Sequence, residues 1–477
     1  MAHTVFRRLL CALASALAQP AVAAITGPAA PITAEPLSDP RIPGFRYPES
    51  EATLTRWITT LSRSDNPEAA AVAFEKIHLH GWGLWAAVTA ETNQSAGGQR
   101  LRAFETWLTP DDLAGSNAAA GAPSLALRSR APLRQLAQLR ETPPESEPVE
   151  EESAIARVVG FVKFDPTAAA HIQKQELLNA SALDILLEAG AQQIPPFPAS
   201  ALAVKPVFQV LAAKDLVAGR YYRLKAWPGP PATPQPWGPA QWPGCVWLDL
   251  VGGGSGRGAI DPIAAADGTS RTDETTYPIA SLINYRLSAA DALALNQEKP
   301  ATGASAGDYA ILVAMHLSSR EIARWTWQTF WWTPTPEDPH APSSAAIGAL
   351  RPPQLRGAAR NYAMSLGYML LSPDQPYTGG ENKGAAVYTY NPWIEARVAA
   401  ADLPDSQPGL GPDGRAAANN LGIQTNCMSC HARANYNPQK RTTAPRFSGA
   451  RYTDLIDPQF VGTLQVDLLW SVARHAR

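Results

Sequence analysis

The chain has 477 residues, of which 45% are hydrophobic and 17% charged, and its formal net charge is −2. This composition excludes a disordered or coiled-coil protein, and the mild charge argues against general binding of nucleic acid or anionic membranes. The 44 prolines predict many loops and few long helices, while the length favours one large domain with an appendage, or two domains.

Residues 1–23 have the pattern of a secretory signal peptide. Arg7 and Arg8 give a positive start, and an apolar core follows from Leu9 to Leu17. Ala21-Val22-Ala23 has the small residues of a cleavage site. The apolar core is too short to cross a bilayer, and no later apolar run is long enough to do so. We therefore predict an exported protein that does not span the membrane.

The region 24–350 predicts a β-rich α+β domain. A helix is expected around Trp57, and a helix with its turn is expected between Asp165 and Ala191. The acidic, proline-rich stretch Glu141–Glu152 predicts a solvated loop. Four segments combine β-branched, apolar and aromatic residues at strand length: Val158–Val162, Leu202–Leu211, Cys245–Val251 and Tyr309–His316.

Three features of this region favour a structural role over a chemical one. The aromatic segment Arg324–Trp332 predicts a heavily packed core strand. The stretch Gly252–Gly258 lacks the Gly-Lys-Ser/Thr ending of a phosphate-binding loop, so we expect a turn. Cys245 stands in an apolar strand without a basic neighbour and is expected to be a buried thiol rather than a nucleophile.

The last region, 351–477, differs from the preceding one and predicts a small helical segment. Leu355–Leu371 and Arg415–Asn426 each have the length and composition of a helix. Val461–His475 has apolar residues along one side and predicts a closing amphipathic helix.

The chemical signal of the chain lies in Cys427-Met428-Ser429-Cys430-His431, the C-x-x-C-H sequence to which haem is attached covalently. Two thiols three positions apart can each reach one vinyl group of the porphyrin, and the adjacent histidine then points its imidazole at the iron. The predicted export signal is independent support, because this attachment takes place after translocation. We therefore predict one haem c bound by Cys427 and Cys430, with His431 as the proximal iron ligand.

Three other uses of the cysteine pair are less favoured. A zinc site needs four ligands, and scattered residues such as Cys245 and His475 would have to complete it. A thioredoxin-like dithiol follows the first strand of a βαβ unit, which the sequence does not show here. A disulfide across two intervening residues would be strained.

The sixth ligand of the iron decides function, because a six-coordinate iron passes electrons whereas an open iron binds small ligands. Small electron carriers place a methionine after the motif, but here none follows Met428. The main candidates are therefore Met364, Met369, His316 and His475. Weaker candidates are Met315, His78, His80, His171 and His340. An open sixth position is the alternative.

The motif and its surroundings resemble a group of large bacterial cytochrome c family proteins, mostly of unassigned activity. The resemblance rests on Asn426–Ala434 and Asp467–Ser471, and it extends to Ala203–Val207 and Glu321–Trp332. It implies haem attachment at the two cysteines, iron ligation by the adjacent histidine and maturation in the periplasm. It implies no substrate.

These observations predict a periplasmic electron-transfer protein whose partner is another redox protein or a small-molecule electron donor or acceptor. The alternative is a haem-dependent oxidoreductase of the oxygenase or peroxidase type with an open iron, so the sequence leaves open whether the protein is an enzyme. A gas or redox sensor is a third interpretation, although no output domain is visible. The expected architecture is α+β: a β-rich N-terminal domain (24–350) with a small helical c-type haem segment at the C-terminus (351–477).

Overall fold

The computed structural model describes most of the chain. Its described residues are 32–96, 98–114, 157–233, 235–298, 302–376, 382–398, 409–410, 425–439 and 450–477. The predicted signal peptide, the acidic stretch Glu141–Glu152 and all but the last two residues of the helix expected at Arg415–Asn426 lie outside these ranges.

Helices and strands are mixed along the described residues. The helices are α1 (Glu51–Arg63), α2 (Pro67–Val88), α3 (Ala103–Thr106), α4 (Pro110–Ala114), α5 (Pro166–Lys174), α6 (Ala180–Glu188), α7 (Ala289–Glu298), α8 (Ala345–Ala349), α9 (Cys427–His431) and α10 (Trp470–His475). The strands are β1 (Glu91–Ala96), β2 (Gln99–Arg102), β3 (Val158–Gly160), β4 (Lys163–Phe164), β5 (Leu202–Leu211), β6 (Tyr221–Lys225), β7 (Cys245–Asp249), β8 (Thr276–Pro278), β9 (Asn284–Arg286), β10 (Tyr309–Ser319), β11 (Thr326–Trp332), β12 (Tyr362–Gly367), β13 (Leu371–Ser372), β14 (Ala385–Val387), β15 (Gly409–Leu410), β16 (Asn435–Tyr436) and β17 (Leu464–Gln465).

An antiparallel sheet forms the centre of the fold. Its strands lie in the order β12, β11, β10, β5 and β3, while β4 also pairs with β5 and β9 with β10. The α+β prediction is confirmed, and the four predicted strands are found as β3, β5, β7 and β10. Every residue of β11 is buried, which confirms the packed core strand expected from the aromatic segment.

The two faces of this sheet carry different side chains, because successive residues of a strand point to opposite sides. On one face, Phe330 of β11 stacks on Trp85 of α2 with ring centroids 4.3 Å apart. On the opposite face, the strand register aligns Lys205 of β5, His316 of β10 and Thr329 of β11. A polar row therefore crosses the face that points away from α2.

The helices α1 and α2 cover the apolar face. Ser50 and Asn66 cap their N-termini by accepting hydrogen bonds from backbone N–H groups of the first turn. Gly81 lets α2 approach the sheet closely, since a Cβ at this position would lie 2.9 Å from the sulfur of Met364. The helix predicted around Trp57 is confirmed as α1. In the described part of the chain, no helix is both long and apolar enough to cross a membrane.

The end of the chain packs against α5 and α6, which confirm the helix and turn predicted between Asp165 and Ala191. The backbone of Arg477 exchanges hydrogen bonds with Ala180 N (2.9 Å) and Leu178 O (3.0 Å). These contacts close a second apolar core that includes the fully buried Met428.

The last region contains less helix than predicted. The expectation of a helix at Leu355–Leu371 is wrong: the segment forms a 3-10 turn and then β12. Its apolar run is long because β12 is buried on both faces, and not because it has a helical period. Val461–His475 forms β17 first and becomes helical only in α10. Because β12 pairs with β11, the central sheet extends beyond the boundary expected at residue 350.

Candidate haem-binding site

The cysteine motif forms the short helix α9, and Asn426 fixes its start. The Oδ1 atom of Asn426 accepts a hydrogen bond from Met428 N at 3.0 Å, as an N-cap residue does. Its Nδ2 donates to the carbonyl oxygens of Met369 and Val387, both at 2.9 Å. One buried side chain therefore ties the motif to β14 and to the segment that follows β12.

Cys427 and Cys430 lie one helical turn apart, so their thiols share one side of α9. Both side chains are half-buried, and neither is in a disulfide. Burial raises the pKa of each thiol, and the Glu395 carboxylate raises both further. A raised pKa disfavours the thiolate that zinc binding or disulfide exchange requires, whereas a thioether carries no charge. The raised pKa values therefore argue against a zinc site and against a redox dithiol at this pair.

The ring of His431 is held in one orientation by two contacts. Its Nδ1 lies 2.6 Å from the carbonyl oxygen of Leu468, and its centroid lies 4.2 Å from the indole of Trp327. A carbonyl only accepts, so Nδ1 carries the proton and Nε2 carries the lone pair that binds a metal. The pKa of His431 is lowered to about 3, chiefly by burial and to a smaller extent by nearby positive side chains. The imidazole is therefore neutral, as an iron ligand must be.

The carbonyl that holds His431 belongs to a left-handed turn. Asp467 and Leu468 have φ angles of 44° and 63°, a conformation that residues other than glycine rarely adopt. The Asp467 carboxylate secures the turn by accepting from Arg320 Nε at 3.0 Å and Phe197 N at 2.9 Å. Backbone strain of this kind concentrates at functional sites. This turn begins the segment Asp467–Ser471, which was noted in the sequence only for its resemblance to a protein family. The structure gives the segment a physical role, because it orients His431.

A histidine–carboxylate pair lies on the same side of the central sheet as the motif. His316 Nε2 and Glu395 Oε1 are 2.9 Å apart, and the two side chains are 16% and 18% exposed. His316 Nδ1 is buried and has no hydrogen-bond partner within the described residues. Glu395 Oε2 accepts from Asn391 N at 2.6 Å, and Asn391 Nδ2 donates to Thr329 Oγ1 at 2.8 Å. The pair is therefore fixed between the sheet and the segment after β14.

Positive side chains from distant parts of the chain complete the surroundings of the motif. Lys205 stands opposite His316 in the sheet, and Arg474 comes from α10. Both act electrostatically on His431. Each is half-buried and keeps some accessible surface. Sequence reasoning missed Arg474 and Glu395, which no local signal marks, and Lys205 lay in a segment noted only for its resemblance.

Two of the four main sixth-ligand candidates lie beside the motif. His316 is close enough to lower the pKa of His431, and it shares the sheet face of Trp327. Met369 adjoins the motif through its backbone carbonyl. The Met369 side chain is 9% exposed and belongs to the main apolar core.

The other two main candidates are not brought to the motif. Met364 lies on the opposite face of the sheet, where its sulfur approaches Gly81 of α2. His475 donates from Nδ1 to Ser471 O of its own helix at 2.8 Å, and the charges that act on it come from Asp111 and neighbouring arginines. The weaker candidates lie elsewhere: Met315 on the α2 face, His78 and His80 in α2, His171 in α5 and His340 beside Gly229.

Cys245 is a buried thiol, as predicted. It opens β7 with no exposed surface, and burial together with the nearby Asp261 raises its pKa to about 12. At about pH 8 only about one molecule in 10⁴ would carry the thiolate. We therefore expect Cys245 to resist iodoacetamide in the folded protein and to react readily in denaturant, as measured by mass spectrometry. Rapid alkylation of the folded protein would contradict this placement.

The site is built from a helical thiol pair, an oriented histidine and a surrounding group of charged side chains. The described residues contain no group of three or more His, Cys, Asp or Glu side chains placed to hold a bare metal ion. No protein-family model matches the chain, and no curated protein or solved structure matches it either.

Proposed function

We propose that this chain is a mono-haem c-type cytochrome that transfers electrons in the periplasm. The observation that carries the proposal is α9, where two thiols one turn apart precede a histidine whose Nδ1–H is held by the Leu468 carbonyl. Cys427 and Cys430 would hold a haem through two thioether bonds, and His431 would ligate its iron through Nε2. Bound haem supplies an iron that changes between the ferric and ferrous states.

The protein residues around the motif keep the histidine ligand fixed. Leu468 sets the tautomer and the direction of the His431 ring, and Trp327 restricts its rotation. Partners of this kind tune a metal site and limit its rearrangement when the charge changes. A small rearrangement favours rapid exchange of electrons with a redox protein or a small-molecule donor or acceptor.

His316 is the sixth ligand that this arrangement favours. It lies on the side of the sheet that carries the motif, Glu395 orients its ring, and its Nδ1 has no hydrogen-bond partner among the described residues. A carboxylate that holds a histidine is a common support of metal ligation.

The proposal is tested by the optical spectrum of the mature protein, oxidised and dithionite-reduced, with and without carbon monoxide. We expect a c-type haem with a low-spin spectrum that carbon monoxide does not change. His316→Leu should turn this spectrum high-spin and sensitive to carbon monoxide, because it removes the sixth ligand. The matched variant His475→Leu should leave the spectrum unchanged. The absence of any haem band in the wild type would refute the proposal.

A haem-dependent oxidoreductase with an open iron is the second candidate. The observation that favours it is the His316–Glu395 pair, since a histidine hydrogen-bonded to a carboxylate is suited to general acid–base catalysis. A wild-type spectrum that is high-spin and shifts with carbon monoxide would move this candidate ahead of electron transfer.

A further inference from the structure

The guanidinium of Arg474 lacks hydrogen-bond partners that a buried positive group needs. Its Nε and Nη2 atoms are buried, and neither has a hydrogen-bond partner within the described part of the chain. Buried charges in proteins are normally paired and hydrogen-bonded, because an uncompensated charge in the interior is costly. Among the described residues, this edge of the Arg474 guanidinium is therefore open to a further acceptor.

The two nitrogens concerned indicate what kind of acceptor is missing. Nε and Nη2 form one edge of the guanidinium and donate in parallel to the two oxygens of a carboxylate. Arg220 shows this geometry elsewhere in the protein, where its Nε and Nη2 bind Asp249 at 2.8 and 2.6 Å. The same edge of Arg474 is thus suited to a carboxylate.

Lys205 interacts electrostatically with Arg474 and Arg397 in this part of the site. Burial lowers the pKa of Lys205 to about 7, and the positive charges of Arg474 and Arg397 also lower it. Glu395 is the carboxylate that acts on Lys205, but its two oxygens already accept from His316 and Asn391. A carboxylate bound at Arg474 would therefore stabilise the charged form of Lys205.

Arg474 is joined to the cysteine motif through its own helix. Trp470, one turn before Arg474 on α10, donates from Nε1 to the carbonyl oxygen of Cys430 at 3.3 Å. This contact sets the helix against α9, and Arg474 acts electrostatically on His431. A group attached at the two cysteines would thus reach the neighbourhood of Arg474.

We propose that Arg474, assisted by Lys205, binds the propionate carboxylates of the haem attached at Cys427 and Cys430. This inference rests on the proposed function. A haem carries two propionates that are ionised near neutral pH, and a carboxylate is the kind of acceptor that the Nε and Nη2 edge of Arg474 lacks among the described residues. Anchoring them orients the porphyrin, and the positive charge held near the iron favours its ferrous state.

The test compares Arg474→Gln with Arg477→Gln in the exported, haem-loaded protein. Arg477 is a matched control because it lies three residues away and pairs with Asp111 at 2.5 Å, with 60% of its side chain exposed. Haem per chain is measured as the pyridine haemochrome, the midpoint potential by redox titration, and the propionate bending bands by resonance Raman spectroscopy. We expect Arg474→Gln to keep its covalent haem, to have a lower midpoint potential and to show shifted propionate bands, while Arg477→Gln matches the wild type.

A further variant and a carboxylate titration separate the remaining explanations. Arg474→Lys keeps the charge and should stay close to the wild-type potential, and Lys205→Gln should shift it in the same direction as Arg474→Gln. If the midpoint potential and the propionate bands of Arg474→Gln equalled those of the wild type, the propionate anchor would be refuted. The proposal of haem attachment at the two cysteines would then still stand. The anchor would also be overturned if acetate shifted the spectrum of the wild type and Arg474→Gln abolished this shift. Arg474 and Lys205 would then bind carboxylates from solution rather than the haem propionates. A wild type without haem would refute the proposed function itself.

Discussion

Alanine at both Cys427 and Cys430 is expected to leave the chain without covalently bound haem. The two thiols of α9 are the groups positioned to form thioether bonds, and Cys245 lies in β7, whose neighbours are β6 and β8. Both thiols are half-buried, so their removal should not unfold the protein. The measurement is haem-dependent staining of the denatured chain, combined with circular dichroism of the native variant.

Cys245→Ala is the matched control for this variant, since it removes a thiol that takes no part in the site. It should stain as strongly as the wild type. Either single variant at the motif keeps one thiol and should retain part of the covalent haem. A double variant that still stains after denaturation would show that haem is attached elsewhere, or that the stain does not report covalent haem.

Features set by short segments could be predicted from the sequence. β5 and β10 are runs of apolar and β-branched residues whose composition alone favours strands. The cysteine motif is equally local, because five consecutive residues contain both thiols and the histidine. β12 was mistaken for a helix because a strand buried on both faces has neither the alternation nor the period that separates the two structures.

The surroundings of the motif could not be predicted, because they come from segments far apart in the sequence. The carbonyl of Leu468 contacts His431 from a left-handed turn, and Asp467 in this turn pairs with Arg320, which is far away in the sequence. Glu395 and Arg474 are ordinary charged residues in sequence. They become informative only when the fold places them beside the motif.

Replacement of Asp374 by asparagine is expected to destabilise the protein by about 3–5 kcal/mol, the usual cost of breaking a buried ion pair. Arg324 Nη2 donates to both carboxylate oxygens of Asp374 at 2.8 and 2.7 Å, and the side chains are only 8% and 7% exposed. Tyr452 also donates to Asp374 Oδ1 at 2.7 Å. The amide would leave the buried Arg324 charge without its ion-pair partner. Denaturant unfolding followed by circular dichroism measures the change.

Two comparisons separate this charge effect from a general loss of packing. Arg360→Gln removes a guanidinium that is 42% exposed and pairs with Glu337, which is 65% exposed, so it should cost less than about 1 kcal/mol. The double variant Arg324→Met/Asp374→Leu should cost less than Asp374→Asn alone, because it removes both charges and leaves neither uncompensated. If the double variant were instead less stable than the single one, the pair would stabilise the fold through its net attraction. The loss of unfolding free energy in Asp374→Asn would then measure the attraction between Arg324 and Asp374, and not the cost of burying Arg324 without its partner.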